Sequence, residues 1–288
     1  MIDVLFSVVL WSSVLRIALP YVLAALGGAI TERAGVIDLA LEAKLLFGAF
    51  TAAAVGHATD NAYAGVIGGM AAGVAVAAAQ TFFALRMGAD QVIIGIAFNL
   101  IALAGTRFML QLFYNVGANS PPTPGFGDAI LSNPIFWLAV LATILVPIAF
   151  SRSRWGLRLR AAGDRPDALV AVGASPTRAR VYAALVGGAL AGAGGAHQAL
   201  AVDGFVADMS GGRGYMALAM IILVGWRPAW AALACVGVAF AHALSVELQI
   251  AQSAIPRELA PLLPYILTVL VLAIWGSSGK PPRALGKL

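Results

Sequence analysis

Long apolar stretches recur along almost the whole sequence, and they restrict the possible folds more than any other feature. A helix needs about 20 apolar residues to cross the hydrocarbon core of a bilayer. Only 11% of the 288 residues are charged and 61% are hydrophobic, which leaves too little polar cover for a water-soluble surface. The sequence therefore predicts an all-α fold, a polytopic transmembrane helical bundle that forms a single domain over residues 1–288 in a lipid bilayer.

The reactive residue types are too sparse for a metal site or a catalytic centre. The single cysteine, Cys235, lies in an apolar run, which argues against a disulfide framework or a cysteine-based metal site. The histidines His57, His197 and His242 lack the spacing of metal ligands. The segment "GSSGK" (276–280) departs from the phosphate-binding loop pattern. We therefore expect no cofactor in this chain, no enzymatic activity and, because basic and aromatic residues are not interleaved, no nucleic-acid partner.

The distribution of basic residues predicts the topology. Residues 152–180 carry seven arginines and only two acidic residues, so the positive-inside rule makes this loop cytoplasmic. The C-terminal tail, residues 277–288, is also basic and is predicted to be cytoplasmic. The proline-rich loop 114–133 has no basic residue and is predicted to face outside.

Two similar stretches indicate an internal repeat. "LAALGGAI" at 23–30 resembles "LAGAGGAH" at 190–197, and each is followed by a loop, an arginine and a short apolar piece. We interpret them as two pseudo-repeats in the same orientation. The predicted organisation is repeat one at about 15–86, an extra helix pair at 90–151, the loop 152–180, repeat two at about 181–276 and the tail 277–288.

The number of spans depends on how the short apolar pieces are divided. "GWRP" at 225–228 separates 213–226 from 229–247, because proline disfavours helical continuation and the first piece is too short to cross a bilayer. If 35–58 is split in the same way near Gly48, the chain has ten spans and its N-terminus lies inside. An unbroken 35–58 gives nine spans and an outside N-terminus. The repeat favours about ten spans, some of them short or discontinuous.

In the ten-span arrangement "TERAG" is an external turn. The short element that follows it contains several charged residues. Asp38 and Glu42 are four residues apart and share one face of a helix, whereas Lys44 points elsewhere and snorkels to the inner boundary. Ionised residues in a membrane segment normally face protein or water. Asp38 and Glu42 either line a substrate pathway or cap half-helices and pair with Arg33 or Arg107. The sequence leaves both interpretations open.

Three further residues complete the candidate pathway. Asn99 is a lone amide in an apolar helix, where it contacts substrate or, as is commoner, bonds to a neighbouring helix. Met216 and Met220 lie in the short apolar piece of the second repeat. The residues assigned to the candidate substrate pathway are Asp38, Glu42, Asn99, Met216 and Met220.

Four blocks of the sequence resemble a known family. Residues 26–50, 88–108, 159–196 and 209–228 are similar to the permeases of bacterial ABC importers, the group that includes ribose-type sugar and branched-chain amino-acid permeases. The blocks follow the family's order and are most similar to the smaller permease of nucleoside (simple-sugar-like) importers.

The resemblance implies a multi-pass subunit of the bacterial inner membrane that forms half of a translocation path and works by alternating access. It implies a nucleoside or related ribose-containing solute as substrate. The implied partners are ATPase subunits that bind ATP and Mg²⁺, a second, different permease subunit, and a periplasmic or lipid-anchored substrate-binding protein.

The resemblance also assigns a role to the arginine-rich loop. "RAAGDRPDALVAVGAS" (160–175) is similar to the cytoplasmic coupling helix that docks on the ATPase. The local sequence agrees, because Asp164 suits an N-cap, Pro166 a first helical turn and Gly173 a helix end. The alternative is a merely solvated loop. The residues assigned to coupling are Arg160, Gly163, Asp164, Arg165, Pro166, Ala168, Leu169, Val172 and Gly173, with Ala168, Leu169 and Val172 as the apolar docking face.

Other transport functions fit part of the pattern. A secondary transporter driven by an ion gradient would also use broken helices and intramembrane carboxylates, with Asp38 and Glu42 as the coupling site. Within the resembled family, a simple sugar or a branched-chain amino acid is an alternative substrate. A requirement for ATP and an ATPase partner distinguishes the ABC permease from the secondary transporter.

Overall fold

A computed structural model describes residues 8–127, 129–250, 262, 264–266, 268–270 and 280–287. Helices account for nearly all of the regular structure there, and within these ranges the only β pairing is an isolated bridge between Asn119 and Val206. The all-α prediction is therefore confirmed. The helices are α1 (Val8–Arg33), α2 (Leu41–Thr59), α3 (Ala62–Thr81, continued by a π-helical turn, Phe82–Arg86), α4 (Gln91–Tyr114), α5 (Pro134–Arg152), α6 (Arg154–Asp164), α7 (Pro166–Ala171), α8 (Pro176–Leu200), α9 (Arg213–Leu223) and α10 (Pro228–Ile250).

Five helices of the described part are long and apolar enough to cross a membrane: α1, α3 with its π-helical turn, α4, α5 and α10. This makes the chain a multi-pass membrane protein, as the composition predicts. The predicted span 260–276 falls mostly outside the described residues.

Helix α8 lies at the centre of the bundle, in contact with α1, α2 and α3. Glycines allow these close approaches. A Cβ atom on Gly187 would lie 2.5 Å from the backbone oxygen of Gly27 on α1, and one on Gly188 would lie 2.5 Å from that of Gly73 on α3. Backbones that pack this tightly exclude any larger side chain. The small residues of the sequence therefore build the core of the bundle.

Helices α1 and α8 are antiparallel. Arg16 lies beside His197 at one end of the pair, and Gly27 lies beside Gly187 further along. The two similar stretches of sequence consequently run in opposite directions, so the prediction of repeats in the same orientation is wrong. Both stretches are rich in glycine and alanine because α1 and α8 pack against each other, and such packing does not require a shared direction.

The two ends of the bundle are defined by their loops. We call one the arginine end, where α6, α7 and residues 280–287 lie. We call the other the proline end, where residues 115–133 meet residues 201–209. The amide of Ser120 donates to the carbonyl of Phe205 at 2.8 Å there.

The connection between α1 and α2 differs from the ten-span prediction in two ways. Helix α2 is continuous, because Gly48 packs against the backbone of Gly192 on α8 and does not break the helix. The "TERAG" turn lies at the arginine end, where the amide of Gly286 donates to the carbonyl of Gly35 at 3.1 Å. The predicted split near Gly48 is thus wrong. The turn lies at the same end as the arginine-rich loop, whereas the ten-span prediction put the two on opposite sides of the membrane. The fold matches the alternative with an unbroken 35–58.

Helices α9 and α10 are separated where the sequence predicts. Gly225 and Trp226 both have positive φ angles, 68° and 57°, and α10 begins at Pro228. The "GWRP" motif therefore forms a turn between two distinct helices.

Candidate functional site

Helix α9 is a half-length element that begins inside the bundle. Its 11 residues span about 16 Å, roughly half of a hydrocarbon core of about 30 Å. The turn after α9 reaches the arginine end, where the indole of Trp226 donates a hydrogen bond to the carboxylate of Glu32 near the end of α1. The N-terminus of α9 lies beside the first turn of α2. The polar residues around this N-terminus form the first part of the candidate site.

Glu42 of α2 caps the N-terminus of α9. Its Oε1 accepts from the amide of Gly212 at 2.8 Å, and its Oε2 accepts from the amide of Gly214 at 2.7 Å. An anionic carboxylate at this position also complements the positive end of the helix dipole. Of the two interpretations of Glu42, the one in which it caps a half-helix is therefore supported. The pairing with Arg33 that accompanied this interpretation is not seen. Arg33 pairs with Asp164 instead, with its Nη2 3.7 Å from Oδ2.

Asp38 and Lys44 form a fully buried ion pair. Asp38 lies in the non-helical turn before α2. The prediction that it shares a helix face with Glu42 is therefore wrong. Lys44 turns back toward this residue, and the prediction that it snorkels to the boundary is wrong. A buried ammonium is stable only beside a counter-ion, and Asp38 supplies that charge. The amide of Asp38 in turn donates to Glu32 at 3.2 Å.

Asn99 of α4 joins the turn before α2 to α9. Its Nδ2 donates to the carbonyl of Leu39 at 2.8 Å and to the hydroxyl of Tyr215 at 2.9 Å, while its Oδ1 accepts from the amide of Ala43 at 2.9 Å. This is the interhelical bonding that the sequence left open. Tyr215 itself keeps 46% of its surface exposed.

Met216 and Met220 are buried in the main hydrophobic core. Both side chains are buried, whereas the neighbouring Tyr215 is exposed. The hydroxyl of Thr268 lies 3.9 Å from the sulfur of Met216. The five predicted pathway residues therefore lie on three neighbouring helices, α2, α4 and α9, and in the turn before α2. Their contact with substrate stays a prediction.

A cavity of about 460 Å³ lies toward the proline end, between α1, the end of α8 and the start of α9. This volume falls in the usual range of small-molecule sites. Its polar lining consists of Arg16, His197, Gln198 and Arg213. The ring of His197 is fixed, because Nε2 lies 3.1 Å from the carbonyl oxygen of Arg16 and Nδ1 lies 3.1 Å from Nδ2 of Asn133. We call this the amide cavity.

Gln198 gives the amide cavity its name. Its side chain is only 7% exposed, and neither Oε1 nor Nε2 forms a hydrogen bond with any described residue. Sequence reasoning missed this residue. The available signal was the one that singled out Asn99, an amide within an otherwise apolar helix.

The coupling segment forms the short helix α7 at the arginine end. Pro166 occupies its first position, as predicted, and the chain leaves it through Gly173 with a φ of 73°. The predicted N-cap is wrong, because Asp164 ends the preceding helix α6 and pairs with Arg33. Arg165 stands at the cap position without a capping hydrogen bond from its side chain.

The apolar face of α7 also differs from the prediction. Ala168 and Val172 are exposed, but Leu169 is buried within the chain. Val170, which the sequence prediction omitted, is exposed instead. A six-residue helix lying on the bundle must bury one side, and Leu169 occupies that side. The apolar surface that a partner can reach is therefore Ala168, Val170, Ala171 and Val172.

The other coupling residues tie α6 to the rest of the arginine end. Gly163 packs against the backbone of Arg33, and its carbonyl accepts from the amide of Ala284 at 2.8 Å. Arg160 lies on α6 and is half-buried. The predicted coupling residues are thus contiguous, and they contact the end of α1 and residues 280–287.

Several transport proteins are similar to this chain over most of its length. The guanosine ABC transporter permease protein NupQ of Bacillus subtilis is 30% identical, covering 93% of this chain and 92% of the relative. The nucleoside ABC transporter permease protein NupC of Lactococcus lactis is 28% identical, with coverages of 93% and 92%. The putative glucose ABC transporter permease protein TsgC13 of Haloferax volcanii is 33% identical, with coverages of 77% and 72%. No solved structure gives a significant match.

The family comparison agrees with these relatives. The family described as "Branched-chain amino acid transport system / permease component" matches residues 10–272, which is most of the chain and includes every helix around the amide cavity. The chain therefore belongs to this family of ABC importer permease subunits.

Proposed function

We propose that this chain forms half of the translocation path of an ABC importer for nucleosides or related ribose-containing solutes. The names of the guanosine and nucleoside permeases among its relatives support this substrate class. The relative named as a putative glucose permease makes simple sugars the second candidate. ATP and Mg²⁺ are bound by partner ATPase subunits, so this chain is not itself an enzyme.

The two polar atoms of the Gln198 side chain, which have no hydrogen-bond partner among the described residues, support this substrate class. A carboxamide offers both an acceptor and donors, which matches the hydroxyls of a ribose and the edge of a nucleobase. Both atoms are buried in this conformation, and burying them without a partner is costly. A movement of the cavity lining that lets a solute bond to them recovers that cost. The amide cavity, at about 460 Å³, has room for a solute of this class.

The path continues from the amide cavity along α9. We assign Asp38, Glu42, Asn99, Met216 and Met220 to the layer of side chains that supports its wall, since all five are buried in this conformation. The hydrogen bonds of Glu42 and Asn99 favour a positioning role, in which they hold the half-helix while the exposed ring of Tyr215 faces the path. Substrate sites beside discontinuous helices are common in transporters that work by alternating access.

The coupling segment transmits the ATPase cycle to α9 in this proposal. Force applied at the exposed face of α7 reaches α1 through the contact of Gly163 with Arg33. It reaches the turn after α9 through the hydrogen bond between Glu32 and Trp226. Each step is a direct contact between neighbouring segments, which suits the rocking of packed helices.

The assembly and topology follow from the same proposal. The partners are two ATPase subunits, a second permease chain and an external substrate-binding protein. The arginine end and the C-terminus face the cytoplasm of a bacterial inner membrane. We infer nine crossings with the N-terminus outside, and two repeats in inverted orientation, because α1 and α8 are antiparallel.

Uptake by the assembled importer in proteoliposomes tests the proposal. Gln198→Leu preserves volume and removes both polar atoms, so we expect the KM for guanosine to rise at least about tenfold. Gln111→Leu changes the same residue type at an exposed site on α4 and leaves uptake unchanged. Competition with ribose, glucose and a pyrimidine nucleoside then ranks the substrates.

Two results would contradict the proposal at different points. Normal guanosine uptake by Gln198→Leu, with ATPase activity retained, removes the amide cavity from the path. Uptake that persists without ATP and collapses with an uncoupler removes the ABC mechanism for this chain and supports an ion-driven transporter.

A further inference from the structure

A second cavity of about 460 Å³ lies at the arginine end. Four of its lining residues are basic: Arg33 from α1, Arg160 from α6, Arg227 from the turn before α10, and Lys280. Among the residues that the structure describes, none with an acidic side chain lines it. The cavity therefore concentrates positive charge between segments that are far apart in the sequence. We call it the cationic cavity.

The four cations are poorly compensated by the chain itself. Arg33 has a carboxylate partner, Asp164 at 3.7 Å. The Nε atom of Arg160 is buried and forms no hydrogen bond with the described residues. Arg227 and Lys280 are exposed and have no ion pair within the same part of the chain. Like charges around one cavity repel, so an anion bound there is stabilised.

The rest of the lining distinguishes among possible anions. Pro147, Phe150 and Ala229 contribute apolar walls. Helix α5 ends at Arg152, one residue after the lining residue Ser151, and α10 starts at Pro228, which also lines the cavity. The cavity thus lies where two apolar spans reach the polar boundary of the membrane. Basic pockets at such a boundary suit the head groups of anionic lipids.

We propose that the cationic cavity binds the phosphate of an anionic phospholipid headgroup. Arg160 and Arg227 bind the phosphate, and the acyl chains lie along the neighbouring surfaces of α5 and α10, where Ile148 and Trp230 are exposed. The bound phosphate joins the end of α1, α6, the turn before α10 and the tail at Lys280. This site goes beyond the proposed transport function and does not depend on which solute is carried.

Lipid titration of the delipidated, assembled importer tests the site, with native mass spectrometry to count bound lipids. We expect phosphatidylglycerol to bind more tightly than phosphatidylcholine. Arg160→Gln or Arg227→Gln should weaken phosphatidylglycerol binding by about fivefold each, and Arg160→Lys should restore most of it. Arg152→Gln is the control, because it removes an exposed charge at the end of α5 that does not line the cavity. It should leave phosphatidylglycerol binding unchanged.

Each alternative result overturns the proposal. Equal binding of the two lipids, or equal weakening of phosphatidylglycerol binding by Arg152→Gln, means that the cavity is not a specific headgroup site. Displacement of the lipid by millimolar inorganic phosphate means that the cavity takes a soluble phosphate. If the importer with Arg160→Gln fails to assemble, Arg227→Gln in the exposed turn replaces it, and its phosphatidylglycerol binding is compared with that of Arg152→Gln.

Discussion

Helices α2 and α9 occupy comparable places beside the core, yet charge is distributed very unequally between them. The α2 region holds Asp38, Glu42 and Lys44, whereas α9 after its first residue, Arg213, has no charged residue. The contacts explain the difference. Glu42 bonds to the amides at the start of α9, so the charge of one region satisfies the backbone of the other.

Both helix starts are capped from outside their own segment. Asn99 of α4 accepts from the amide of Ala43 at the start of α2, just as Glu42 serves α9. A helix that begins inside an apolar bundle has no water to satisfy its first amides. These buried polar residues are therefore cross-connections between helices. The remaining pair, Asp38 and Lys44, is closed within the α2 region.

Breaking the closed pair should have the largest effect. Lys44→Met leaves Asp38 as an uncompensated buried charge, so we expect a loss of about 3–5 kcal/mol in the free energy of unfolding. Thermal unfolding of the purified protein in lipid nanodiscs measures the loss. The double variant Asp38→Leu with Lys44→Met should recover most of the stability, because both charges are gone. Unchanged stability of the single variant would show that the pair does not form.

Removing the shared cap should have an intermediate effect. Glu42→Ala deletes two charge-assisted hydrogen bonds to Gly212 and Gly214, at an expected cost of about 2–3 kcal/mol. Glu42→Gln keeps one acceptor oxygen and should cost about half as much. Amide hydrogen exchange at residues 212–214 measures the effect locally. Faster exchange confined to α2, with none at α9, would refute the connection between the two regions.

Removing one hydroxyl should have the smallest effect. Tyr215→Phe loses the hydrogen bond that Asn99 donates to the hydroxyl of this half-exposed residue, with an expected cost of about 0.6 kcal/mol. Tyr182→Phe is the matched control, because Tyr182 is exposed and its hydroxyl has no hydrogen bond to the described residues. Unfolding temperatures of the two variants give the comparison. A larger loss in Tyr182→Phe than in Tyr215→Phe would contradict the role of Asn99.

The predictable parts of the site are those that depend on local sequence. The "GWRP" turn, which ends at Pro228, marks the break between α9 and α10. Pro166 and Gly173 lie at the two ends of α7. The side of α7 that Leu169 buries depends on the helices beneath it, and the local pattern does not contain that information. The amide and cationic cavities were missed for the same reason, since each is assembled from several separate segments.

The partner of Glu42 lies 170 residues away in the chain, and no periodicity near Glu42 identifies it. The direction of α1 relative to α8 was also beyond the sequence, because tight glycine packing has the same composition in either direction.

Composition and hydropathy by themselves determined that the chain is a helical membrane protein, because apolar segments of this length have no other stable solution in water or lipid. The family-specific blocks determined that it is an ABC importer permease. Only the tertiary structure decided what the buried charges do. A carboxylate or ammonium inside a bundle takes its role from the groups that surround it, and those groups come from helices that the chain brings together only when it folds.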